Sequence, residues 1–330
     1  MELLRFQVSR LTVEIALGLC AGLLVVPGCK SDAAASKATS TAASGGAAPH
    51  HPYLAESPWP TSHQSPYAQA SSPLAGPRAD ATPSVEYLAT DVASITLAFS
   101  GLYPDGERVI WGSSAASVFK VDPAAGALAL IAKRDKTQGF DNLIAGAYTL
   151  VDADGAFFAT EGSFIDRYVD EVTGDRFSGI VRQGRFALPA PMKDEVVIGL
   201  SLTWDGVLVY ATSHGRVGAL ARDLTPLDLV ALGADERVSN SIAVDEDGGI
   251  YVVTSVAMHR VQWTGERLST EPGDGAWTAA YRTGPAQPFP GRLGIGSGST
   301  PSLMGTGDDD RLVVITDGEK LMNLVFLWRG

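Results

Sequence analysis

Cysteine is almost missing from this chain of 330 residues: Cys20 and Cys29 are the only two, and both lie near the N-terminus. The rest of the chain therefore has neither a disulfide framework nor a paired-cysteine metal site. Basic residues are also short, 25 Lys and Arg against 37 Asp and Glu, giving a formal net charge of -12. Nucleic acid and anionic lipid surfaces both call for a basic footprint, so neither is an expected partner. No uninterrupted apolar run reaches the roughly 20 residues that span a bilayer. Gly-x-Ser-x-Gly and His-Glu-x-x-His are both absent, which leaves elbow-type hydrolases and zinc peptidases without a motif.

What is present begins with a targeting segment. Arg5 and Arg10 make a basic start, and Ile15–Val26 is an apolar run of 12 residues, the length of a signal peptide's central region. It ends in Val26-Pro27-Gly28-Cys29, which resembles a bacterial lipobox. The resemblance implies a signal peptide over residues 1–28 and a membrane anchor through lipid on Cys29. Lys30 after the cysteine implies sorting to the outer membrane rather than retention in the inner one. Residues 29–83 are rich in Ala, Ser, Thr and Pro, show no apolar periodicity, and read as a tether. Two aromatics within it, Trp59 and Tyr67, predict that part of the tether packs on the surface of the domain that follows.

From residue 84 to 330 the chain repeats. Asp105-Gly106, Asp154-Gly155, Asp205-Gly206, Asp247-Gly248 and the Asp308-Asp309-Asp310 run recur at spacings of 49, 51, 42 and 62 residues. Each turn sits between two short apolar runs, such as Ile198–Leu202 and Val207–Tyr210, and a third strand starts about a dozen residues later. Runs apolar on both faces belong to buried strands, and an all-strand repeat near this length predicts a β-propeller of four-stranded blades. Asp-Gly suits a hairpin turn that needs positive φ. Five repeats are readable, and the fifth has no fourth strand. Either Val85–Thr90 supplies that strand, or the chain is cut short and a complete ring has six or more blades.

Single repeats resemble those of quinoprotein-type propellers, through Arg108–Ser113 and Val118–Gly126, and Trp59-Pro60 resembles the motif that opens that fold. Ser239–Asp245 with Gly248–Val252 resembles the gluconolactonase-like propellers. The first resemblance implies a quinone dehydrogenase, but the late tryptophan of each repeat is mostly absent and adjacent cysteines are absent. The second implies a calcium-dependent lactonase or esterase.

Antiparallel strands alternate ends, so the Asp-Gly turns share one face of the disc and the second-to-third-strand loops share the other. The second face is expected to carry any ligand site, and the Asp-Gly face is not. It gathers Asn142, Glu161, Asp194, His214, Asn240 and Asp317. Glu161, Asn142, Asn240 and Asp317 are candidate ligands for Ca²⁺, which takes six to eight oxygens. His214 and Asp194 are candidate binding residues, with His214 open to a general-base role. Asn and Asp are also ordinary turn residues. His259 alternates with Val261 and Trp263 and reads as a packed core residue. Asp152-x-Asp154-Gly155 and Asp245-x-Asp247-Gly248 resemble half a calcium loop and read as hairpin turns. A lipid-anchored binding or scaffolding propeller is the leading expectation, and the calcium-dependent hydrolase is its rival.

Overall fold

The computed structural model describes residues 48–71, 76, 78, 80, 82, 86–89, 96–123, 128–137, 148–285, 294–307 and 309–330. Twenty strands form five antiparallel sheets. The first sheet contains β1 (Thr96–Phe99), β2 (Ile110–Ser113), β3 (Ser117–Asp122) and β4 (Ala129–Asp135). The second contains β5 (Leu150–Val151), β6 (Phe157–Glu161), β7 (Phe164–Asp170) and β8 (Ile180–Ala187). β9 (Val197–Leu202), β10 (Leu208–Thr212), β11 (Arg216–Leu220) and β12 (Pro226–Ala231) make the third. β13 (Ala243–Val244), β14 (Gly249–Val253), β15 (Ala257–Trp263), β16 (Leu268–Ser269) and β17 (Trp277–Ala280) make the fourth. The fifth has three strands, β18 (Ser302–Met304), β19 (Leu312–Thr316) and β20 (Leu324–Trp328). Within each sheet the strands pair in chain order, as blades of a β-propeller do, except that β17 of the fourth sheet pairs with β15 beside β16.

The Asp-Gly turns close the hairpins as expected. Gly106, Gly155, Gly206 and Gly248 have φ between 81° and 86°, where a Cβ would be strained. Before each aspartate a buried side chain organises the turn, two residues ahead for Asp152, Thr203 and Asp245 and five ahead for Ser100. The Asp152 carboxylate accepts the N–H groups of Asp154 (3.0 Å) and Ala156 (2.8 Å), and Asp245 accepts those of Asp247 (3.1 Å) and Gly249 (2.7 Å). Thr203 and Ser100 use their hydroxyls likewise, accepting the N–H groups of Val207 and Val109. The two half calcium loops are therefore Asx turns whose buried carboxylates already hold backbone donors.

Four apolar clusters lie between consecutive sheets. Trp111 stacks on Phe157 between the first and second, and Phe186 meets Tyr210 between the second and third. Ile198, Val209 and Val252 join the third to the fourth, and Tyr251, Met258, Leu303 and Val313 join the fourth to the fifth. In two sheets an aromatic ring lies over a glycine on the neighbouring strand, Phe119 on Gly112 and Tyr210 on Gly218. A Cβ on either glycine would sit 2.2 Å from the ring, so the pair fixes the register.

Residues 48–71 are a correction to the tether expected over 29–83. They do not rest on the surface: they run along the first, innermost strand of every sheet. Phe99 of β1 donates its N–H to the Trp59 carbonyl, Val151 of β5 to Pro60, Val244 of β13 to Pro66 and Leu303 of β18 to Tyr67, each at 2.8 Å. The Leu202 carbonyl of β9 accepts from His51 Nε2 at 3.3 Å. Tyr67 is fully buried and its hydroxyl bonds Glu246, while Leu54 and Ala55 enter the clusters of the first three sheets. First strands expose inner-edge carbonyls and N–H groups that need partners, and this segment supplies them.

The fifth sheet fits the expected three strands. Glu86–Ala89, the described part of the stretch considered as its fourth, form no strand. Leu324, Phe326 and Trp328 alternate outward along β20 and are exposed. The expected signal peptide, Cys29 and the first part of the expected tether lie outside the described residues.

His51 joins the central segment to the third sheet as a neutral imidazole. Nε2–H donates to Leu202, Nδ1 accepts the Tyr53 N–H (3.2 Å), and the ring meets Trp204 edge-on at 4.6 Å. Burial holds its pKa down at about 4, against an ordinary 6.5. The unfolded chain therefore takes up a proton that the folded one refuses as pH falls from 6.5 towards 4. Stability that is complete above this window is lost through it, by about 3 kcal/mol. Denaturant unfolding of the wild type against pH should show that loss, and His51→Gln should flatten it, leaving the smaller slope from His63, which burial also shifts down.

Candidate functional site

The residues expected to meet on the loop face are built by the strand ends, but the structure gives each its own partners. Glu161 ends β6 and is 2% exposed. Arg185 of β8 reaches it with Nη2, and the same guanidinium grips Asp166 of β7 at 2.6 Å through both Nε and Nη2. The Asp166 carboxylate also accepts the Tyr168 hydroxyl at 3.1 Å. Hydrogen bonding to Asp166 pushes the guanidinium pKa up, and burial pushes the Tyr168 phenol up. One guanidinium thus pairs with two buried carboxylates, with Arg182 a further cation 4.0 Å from Asp166.

Asp317 follows β19 and caps the turn into β20. It accepts the N–H groups of Asn323 (3.0 Å) and Glu319 (3.1 Å) and the Asn323 side-chain amide (2.7 Å). Burial works to raise its pKa, but these bonds hold the carboxyl below the usual carboxylate range. Asn240 donates to Ser239 Oγ (3.0 Å) and to the Ser297 carbonyl (3.3 Å). Asn142 lies outside the described residues. Among the described residues no three His, Cys, Asp or Glu side chains are grouped so as to hold a metal ion. Glu161, Asn240 and Asp317 each bond to partners of their own within the protein.

His214 sits half-buried in the β10–β11 hairpin with Nδ1 3.0 Å from Ser213 Oγ. Asp194 is exposed in a tight turn at φ 60°, a left-handed conformation that Asp tolerates. Its neighbour Glu195, not singled out in the sequence, turns inward and forms a two-bond pair with Arg216 (2.7 and 2.6 Å). His259 is buried as expected, but it is also bonded: Nε2 lies 2.7 Å from Glu236 and Nδ1 3.0 Å from Thr278.

The Asp-Gly face, where no site was expected, carries a groove of about 680 Å³ between the first two sheets. The β1–β2, β5–β6 and β7–β8 turns form its walls, and Ala55 and Glu56 of the central segment form an edge. Arg108, Arg167, Asp152, Asp154, Asp170 and Tyr103 line it. The sequence signal was present in Arg108 and Arg167, but strand-face arguments concentrated on acids and amides of the other face.

Known proteins add little chemistry. No family model matches the chain. An uncharacterized protein of Archaeoglobus fulgidus is 40% identical over 285 residues, covering 85% of this chain. The chain spans about half, 54%, of that relative's length. Among solved structures, virginiamycin B lyase from Staphylococcus aureus is similar with TM-score 0.40 and 15% identity, over 72% of this chain and 69% of that one. BamB from Moraxella catarrhalis is similar with TM-score 0.39 and 14% identity, over 67% and 62%. These are propeller likenesses, and no activity is carried over from them.

If Arg185 holds two buried carboxylates, Arg185→Met should take its guanidinium from both and cost about 3 kcal/mol or more in urea unfolding at neutral pH. Adding Asp166→Asn should recover part of that loss. An unchanged midpoint in the single variant would show the pair to be incidental.

Proposed function

We propose that this protein is an extracytoplasmic binding or scaffolding module, held at a membrane by lipid on Cys29 and sorted outward by Lys30. The observation that carries the reading is the occupied centre. Residues 48–71 fill the space along all five inner strands, where a metal set would have had to gather. The acids expected to form that set are spent on Arg185, on Asn323 and on turn amides. What is left open is a surface groove lined by fixed side chains, the form of a recognition site. Among the described residues no helix is long and apolar enough to cross a membrane.

The decisive assay sets the full chain against lactone and ester substrates with and without Ca²⁺. No turnover and no calcium-dependent rise in Tm are expected. Turnover that disappears in Glu161→Gln would replace the binding module with the hydrolase. Fractionation tests the anchor separately: Cys29→Ser should move the protein from the membrane to the soluble fraction, and continued membrane association would contradict it.

A further inference from the structure

The geometry points to the groove between the first two sheets as a binding site for a small oxyanion, a carboxylate or a phosphate, held by Arg108 and Arg167. This rests on the binding-module reading and names the ligand class for it. Asp152 and Asp154 in the groove wall both pair with Arg222, at 3.2 and 2.6 Å. Asp170 pairs with buried Lys120 at 2.7 Å and accepts the Tyr103 hydroxyl at 2.8 Å. Glu56 is exposed at the edge, and its backbone carbonyl, not its carboxylate, takes Arg108 Nη2 at 3.1 Å. Arg222 and Lys120 thus engage the deeper acids, while neither Arg108 nor Arg167 has a carboxylate within ion-pair distance among the described residues; Arg167 acts on Asp152 and Asp223 only from farther off.

Both arginines are half-buried, and the Nε–H of each is sealed from solvent with no acceptor. Orphaned guanidinium nitrogens occur elsewhere, on Arg176, Arg311 and Arg329, but each of those side chains also has a carboxylate within ion-pair distance. Arg108 and Arg167 do not. An unpaired guanidinium withdrawn from water is costly, and in a protein of net charge -12 an internal acid was easy to supply.

The strand register shows why none is supplied to Arg167. Along β7, Asp166 faces Arg185 of β8, but the next residue, Arg167, faces Gly184, which has no side chain to offer. The guanidinium lies over the Phe158 ring with its carbon 6.0 Å from the centroid. It borders both the groove and a neighbouring hollow of about 460 Å³ lined also by Asp154, Gln183, Gly184, Arg222 and Asp223. The groove has the volume of a small-molecule site, and Tyr103, Leu102 and Val169 add an apolar wall. The planar fork of arginine matches a carboxylate or phosphate with two parallel hydrogen bonds, so an oxyanion in the groove would meet the accessible nitrogens of guanidiniums that pair with no carboxylate among the described residues.

Calorimetric titration of the full-length protein with succinate and, separately, with inorganic phosphate tests the site. Binding of at least one is expected, and which one binds distinguishes a carboxylate ligand from a phosphate. Arg167→Met, which keeps an apolar stem on Phe158, should weaken it by about tenfold to a hundredfold, the loss expected for hydrogen bonds to a charged group. Arg108→Met should weaken it as well, and Arg237→Met on the opposite face should leave it unchanged. Absence of binding to the wild type by both anions overturns the proposal, even if Arg167→Met fails to fold. Binding that survives in the Arg108→Met, Arg167→Met double variant overturns it too. Failure here, with hydrolase assays still silent, leaves the module reading standing with its ligand elsewhere; turnover of a lactone or ester would remove that reading whatever the anions do.

Discussion

The structure depends on one unmet need, the free inner edge of each first strand. A blade's innermost strand pairs on one side only, and its other edge carries N–H and C=O groups that burial would leave unsatisfied. Here a single segment meets that need for all five sheets. Phe99, Val151, Val244 and Leu303 donate to its carbonyls, and Leu202 accepts from its histidine. The segment accepts backbone strain in doing so: Gln64, Ala68 and Ala70 hold φ between 51° and 75° without being glycine. Such conformations persist when surrounding contacts over-determine them, and buried Tyr67 and Ala68 lie in the middle of this stretch.

Filling the centre changes where chemistry can happen. Carboxylates near the inner strands are turned to internal use, as Asx-turn acceptors at Asp152, Asp245 and Asp317 and as ion-pair partners at Glu161, Asp166 and Glu195. Each keeps an inter-strand turn or a blade edge in one geometry, so the acidic surplus stiffens the rim of the disc. The basic side chains are mostly consumed in the same way, which is why two arginines without an acid stand out.

The repeat was legible because its signal is local. Asp-Gly demands positive φ, the apolar runs around it are short, and the structure sets β2, β6, β10, β14 and β19 within a residue or two of the runs read from the sequence. Two strands escaped notice, Ser302–Met304 because three residues with one buried side chain carry no pattern, and Trp277–Ala280 because it shares the edge of β15 with β16. The central segment was half legible. Trp59 and Tyr67 marked it as packed, but its partners lie up to 237 residues away, and Pro, Ser and Ala show no period that points inward. The pairing of Glu161 was hidden for the same physical reason: its guanidinium partner, Arg185, is on another strand, and a shared face of the disc does not say which residues on it pair.

Hydrogen exchange of the native protein tests the central segment most directly, through the amides of Phe99, Val151, Val244 and Leu303. If residues 48–71 are part of one cooperative core, these four N–H groups exchange only with global unfolding, and with one common free energy across four sheets. If they exchange early while amides within the sheets stay protected, the segment is a detachable strap and the propeller stands without it.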